Sequence, residues 1–101
     1  MDKISWKNEL KDNESLDAFF DHISLKSDAT KATYLWILKG IIDFYGYSYS
    51  EFDPKNLIQK EYKRLIREKA NKNKKSTLNL FNKIFSILSD IYDLNINRSY
   101  S

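Results

Sequence analysis

The sequence predicts an all-α fold, a compact bundle of four principal helices, and three observations carry that expectation. Apolar residues recur at three- and four-residue steps in four separate stretches, the period that gathers them on one helix face. No stretch alternates apolar and polar residues in the manner of a strand. Residues that open or close helices stand at the ends of these stretches: Asn13 and Ser15, Ser27 and Asp28, Asp53 followed by Pro54, and Gly46. With 101 residues, 42% of them apolar and 15% aromatic, the chain is long enough for one domain around one core.

Taken in order, residues 1–13 read as a flexible N-terminal arm, polar and lysine-rich, with Ile4, Trp6 and Leu10 as its large apolar groups. Trp6 is the residue able to pin it to the domain. A first helix runs from Glu14 to about Ile23, capped by Asn13 or Ser15, with Leu16, Phe19, Phe20 and Ile23 as its buried stripe. The second, within Lys26–Gly46, organises the rest. Ser27 or Asp28 caps it by accepting a backbone N–H. Tyr34, Ile37, Leu38, Ile41 and Tyr45 form its inner face, and Gly46 supplies the left-handed stop. Its opposite face carries Thr33, Trp36, Lys39, Gly40 and Asp43, and Trp36 is unusual there. Either another segment such as Ile4–Trp6 covers it, or it is a contact surface for protein or nucleic acid.

Asp53 and Pro54 start a short turn after the aromatic connection 47–53, the proline sitting where a missing N–H does no harm. A third helix spans about Gln59 to Ala70, with Tyr62, Leu65 and Ile66 inward. Asn71–Lys75 reads as an exposed polar loop. Ser76 or Thr77 then caps a fourth helix reaching about Tyr92, whose apolar face is Leu78, Phe81, Ile84, Phe85, Leu88, Ile91 and Tyr92. The domain is expected to occupy 14–97, with 98–101 as the start of a linker and Leu94 or Ile96 still able to dock.

Composition narrows function. The absence of cysteine removes disulfides, thiolate zinc sites and thiol nucleophiles. No apolar run approaches the length of a membrane span, and no signal-peptide core opens the chain, so a cytoplasmic protein without membrane contact is the expectation. The single histidine, His22, reads as a surface residue. No glycine-rich phosphate loop or metal-ligand spacing is present, and the carboxylates lie on wet faces near helix starts rather than paired in a cleft. The expected chain has no catalytic residue, metal, cofactor or small-molecule substrate.

Charge points instead to binding. Residues 1–59 carry seven Lys and ten Asp or Glu, a net −3, whereas residues 60–101 carry ten Lys or Arg and four Asp or Glu, a net +6. Such asymmetry favours a polyanion. A helix start behind Lys72, Lys74 and Lys75 offers free N–H groups and a favourable dipole to phosphate, with Thr77 and Asn79 in its first turn. The second helix repeats this chemistry with Lys26, Ser27, Thr30, Lys31 and Thr33. Two such starts side by side would grip a duplex, with about one unit of log–log salt slope per phosphate contact.

At this point the chain resembles a known family. A short helix with two aromatics is followed by a polar turn and Thr30-x-x-Thr33-Tyr34-x-x-x-Leu38. Later come Ile58 and Leu65, a polar loop, and Ser76-Thr77-Leu78-Asn79 opening x-x-Phe81-x-x-Ile84-Phe85-x-x-Leu88. Together with the closing IYDLNIN, these are similar to the N-terminal core-binding domain of tyrosine recombinases, the phage integrases and Xer-like enzymes, over residues 14–97. The resemblance implies a SAM-like four-helix fold forming half of a clamp around double-stranded DNA. Its second and fourth helices face the DNA, which carries over to Thr30, Lys31 and Thr33 and to Lys75, Thr77, Asn79 and Lys83. It also implies a separate catalytic domain, so the chain reads as a recombinase fragment able to self-assemble on DNA only in the full protein, and Tyr100 inherits no role. Two departures stand out: the tail reads NINRSYS where the family usually has Asn-Pro, and the second helix carries the unusual Trp36.

Two other classes compete. A protein-interaction bundle would use Trp36, Trp6 and the 47–52 aromatics as an exposed patch. A small helix-turn-helix repressor is disfavoured, because the second and third helices are joined by far more than a three- or four-residue turn.

Overall fold

Ser27 opens the central helix as the sequence requires. Its extended backbone lets the side-chain oxygen accept the Thr30 N–H, and the helix ends at Gly46, whose φ of 76° suits a residue without Cβ. The computed structural model describes residues 5–96. Its helices are α1 (Ser5–Lys11), α2 (Asp17–Ile23), α3 (Asp28–Tyr45), α4 (Gln59–Lys72) and α5 (Lys75–Tyr92), with short 3-10 turns at Glu14–Leu16 and Pro54–Asn56. No strand occurs among the described residues, so the fold is all-α.

α5 forms the spine and packs on α2, α3 and α4. Leu16, Phe19, Ile23, Leu38, Ile41, Leu65, Ile66, Ile84, Phe85 and Leu88 interlock as one core. Removing a side chain such as Leu38 from it would cost about 2–5 kcal/mol. Two tyrosine hydroxyls are tied into this core by hydrogen bonds, whereas the buried Ser89 hydroxyl has no hydrogen-bond partner among the described residues. Tyr92 donates its hydroxyl to the Ser15 carbonyl at 2.6 Å and accepts the Phe19 N–H at 3.3 Å. Tyr62 donates to Asn82 at 2.6 Å.

The structure departs from the sequence expectation in three places. Residues 1–13 are not simply an arm: Ser5–Lys11 is helical, Leu10 is fully buried, and Asn13 is almost so. Asn13 is the anchor, since its amide donates to the carbonyls of Tyr49 (2.9 Å) and Phe52 (2.7 Å) while its oxygen accepts the Ser15 N–H. The first four residues of the expected arm, and the linker expected at 98–101, lie outside the described residues.

The polar stretch 71–75 is not a loop. α4 continues to Lys72 and α5 begins at Lys75, so only Asn73 and Lys74 form the corner. Lysine is a good helix former, and Lys72 meets Glu68 one turn back, so polarity alone does not end the helix. Ser76 and Thr77 therefore sit inside the first turn, and the N-cap is Lys74, which has no acceptor to offer.

The connection 47–53 is not an exposed aromatic patch. Phe52 is buried, and Tyr47 and Tyr49 pack against the core. The carbonyls that Asn13 holds draw this segment inward. Ile96 is also buried, so the chain stays docked past the end of α5.

Candidate nucleic-acid interface

The outward face of α3 does not simply meet solvent. Thr33, Trp36, Gly40 and Asp43 recur at three- and four-residue steps and form one wall of a groove of about 350 Å³. Lys69 of α4, Asn73 at the corner after it, and Thr77, Leu80 and Phe81 of α5 form the other wall. The walls come close at Gly40, where a Cβ would lie 3.4 Å from the Phe81 ring, about ordinary contact distance. A second, shallower depression, lined by Ala29, Thr30, Thr33, Tyr34 and Leu80, continues this surface.

One rim is built from aromatic rings around an ammonium. Lys39 Nζ lies 5.4 Å from the Trp36 ring centroid, 5.6 Å from that of Trp6 and 5.9 Å from that of Tyr49. Such cation–π contacts are worth about 0.5–1 kcal/mol each near the surface. Lys39 also pairs with Asp43 at 2.7 Å, and Tyr49 donates its hydroxyl to the same carboxylate. The hydrogen bond to Asp43 raises the Lys39 pKa. Partial burial pushes the Asp43 carboxyl up, but hydrogen bonds from Lys39 and Tyr49 and the charges of Lys39 and Lys69 outweigh it, leaving the group below its ordinary value. Asp43 is thus neutralised within the groove. Lys69, stacked 5.2 Å from the Phe81 centroid, has no carboxylate within ion-pair distance among the described residues.

Trp6 reaches Trp36 edge-on at 6.1 Å, so the N-terminal segment does touch it. The cover is incomplete: Trp36 is still 63% exposed.

The residues expected to bind DNA divide into four groups. Thr30, Thr33 and Thr77 come together, because Thr33 and Thr77 line the same groove and Thr30 adjoins Thr33 in the neighbouring depression. Lys72, Lys74 and Lys75 stand exposed at the α4–α5 corner beside that groove, Lys72 paired with Glu68. Asn79 and Lys83 are not brought to the groove. They lie about 200° and 240° around α5 from Thr77, on its outer, exposed side. Lys26 is exposed in the turn before α3, and Lys31 lies 3.9 Å from Asp28.

Sequence reasoning missed Lys39, Lys69 and Asn73 as groove residues. The Thr33–Trp36–Gly40–Asp43 spacing marks the α3 wall, but no sequence signal says which residues of α4 and α5 stand opposite.

Among the described residues no group of three His, Cys, Asp or Glu could hold a metal ion, and no helix is long and apolar enough to cross a membrane. Fold and groove together define an all-α domain with an aromatic, cationic cleft between its central helix and the α4–α5 corner. Comparison with known protein families, with curated proteins and with solved structures finds no match.

Proposed function

We propose that this domain binds double-stranded DNA through the face formed by the α3–α5 groove and the α4–α5 corner. One observation carries the reading: Thr33 and Thr77, forty-four positions apart in the chain, line one groove together with Lys39 and Lys69. Lys74 and Lys75 supply exposed charge at its end, next to backbone N–H groups that no side chain caps. Phosphates set affinity and register in this arrangement, and the threonines add short-range hydrogen bonds.

The finer reading follows the resemblance. A SAM-like bundle of the tyrosine-recombinase type would use this face as one half of a clamp, in a cytoplasmic protein whose catalytic residues lie in another domain. The bundle itself is assigned no catalytic step. Half a clamp binds weakly and with strong salt dependence.

NMR titration with a short duplex at low and moderate salt tests the proposal. Amide shifts should cluster at 30–40 and 69–80 and collapse as salt rises. Shifts confined to the acidic side, around Glu14, Asp17 and Asp53, or no shift at low salt, would overturn it.

A further inference from the structure

Trp36 is the feature that phosphate binding leaves unexplained. A ring this large, 63% exposed on a central helix, gains nothing for the core. Yet it is not loose: Trp6 abuts it edge-on at 6.1 Å and Lys39 holds it at 5.4 Å, so its position is fixed while much of its surface stays open. The groove beside it has a charge of one sign to offer. The Lys39 ammonium is balanced by Asp43, whereas Lys69 faces the same groove without an ion-pair partner among the described residues. Thr33, Asn73 and Thr77 add hydrogen-bonding groups at short range.

A positioned aromatic face in a groove with two ammonium groups to one carboxylate matches a nucleotide better than an apolar peptide. The flat base takes the ring and the phosphate takes the cation. A fully paired duplex keeps its bases stacked on one another and cannot use that ring.

We infer that Trp36 is a stacking platform for an unpaired nucleobase, with Lys69 receiving the adjoining phosphate. The inference rests on the DNA-binding reading for its ligand class and narrows it. The domain prefers DNA in which a base has left the helix over perfect duplex.

The experiment uses the full chain and three fluorescein-labelled probes: a short duplex, the same duplex with a bulge of thymines, and a single-stranded oligothymidine. Binding is followed by anisotropy, and by indole fluorescence in a Trp6→Phe background, where Trp36 is the remaining tryptophan. The bulged probe should bind about tenfold more tightly than the paired one, in line with ordinary base–aromatic stacking. It should also quench Trp36. Trp36→Ala should remove the preference for the bulged probe over the paired one, and Trp36→Phe, which retains a ring, should restore part of it. Lys69→Gln should lower affinity for all three probes.

Equal affinity for bulged and paired probes with unchanged Trp36 emission overturns the inference and leaves duplex binding standing. Trp36-dependent binding of oligothymidine without duplex binding supports the inference and removes the duplex reading. No binding of any probe overturns both. Concentration-dependent self-association by light scattering that Trp36→Ala abolishes, with DNA affinity unaltered, assigns the ring to a protein contact and overturns the inference.

Discussion

The starts of α3 and α5 resemble each other in sequence, each a run of Lys, Ser and Thr, yet they are finished differently. At α3 the polar groups satisfy one another. Ser27 accepts the Thr30 N–H and donates to the Thr30 hydroxyl, Thr33 donates back to the Ala29 carbonyl, and Lys31 lies beside Asp28. At α5 the cap position is Lys74, which offers no acceptor, and no acidic residue stands in the first turn. A helix start closed by its own side chains is a structural device. A start left open, with cations around it, retains its capacity for an anion. These helix starts are therefore not equal halves of a cradle: α5 contributes free amides and charge, and α3 contributes the Thr33–Trp36 wall further along its length.

The largest effect that tests this division lies at the closed side. Asn13 does for the turn after α1 what Ser27 does for α3, but in a buried setting. Asn13→Ala removes two donors to the Tyr49 and Phe52 carbonyls and one acceptor for Ser15 N–H. Denaturant unfolding should show a loss of about 3 kcal/mol, since buried groups left without partners cost about 1–3 kcal/mol each and relaxation recovers some of this. A loss below about 1 kcal/mol would mean that the 47–53 segment does not depend on that anchor.

At the open side the expectation reverses. Lys74→Ala with Lys75→Ala should leave stability within about 0.5 kcal/mol of the parent, as exposed substitutions do. The log–log salt dependence of duplex binding should fall by about two units. Lys26→Ala offers the contrast: it stands before the closed start of α3, and its loss should change the slope by less than one contact's worth.

The caps themselves separate the two starts more finely. Ser27→Ala should destabilise the domain by about 1 kcal/mol without changing DNA affinity. Lys74→Asp should do the opposite, adding about 0.5–1 kcal/mol by capping α5 while weakening duplex binding. If both substitutions moved stability and affinity together, the distinction between a finished and an unfinished helix start would fail.

How much of this was legible in the sequence depends on whether the information was local. α3 was readable end to end because Ser27, the Tyr34–Ile37–Leu38–Ile41 stripe and Gly46 are each local signals. The stripes of α4 and α5 were equally plain. The 71–75 run misled, since polarity marks exposure and an exposed stretch can still be helical. α1 was hidden because its one deeply buried residue, Leu10, gives no period, and because Asn13 binds carbonyls thirty-six and thirty-nine positions away. The site was half legible for the same reason. Spacing assigns Thr33, Trp36 and Asp43 to one wall, but Lys69 and Asn73 join it only through the packing of α4 and α5.

Acid is the gentlest probe of the α3 wall. Asp43 is lowered from the ordinary 3.8 of an aspartate: burial opposes the charged form, and the Lys39 and Tyr49 hydrogen bonds prevail. A carboxylate lowered in the folded state contributes stability that is fully present above its unfolded value and is lost as pH falls through its folded one. As pH falls below the ordinary 3.8 the parent should therefore lose more stability than Asp43→Asn, whose neutral amide has no proton to take up. The difference is small, a few tenths of a kcal/mol, because the pair is partly exposed and solvent screens it. Protonation also frees Lys39 from its carboxylate, so Trp36 emission should shift over the same interval in the Trp6→Phe background and stay flat when Asp43→Asn is added. A shift that persists without Asp43 would show that the ring responds to some other titrating group, and that the Lys39–Asp43 pair does not hold this wall in place.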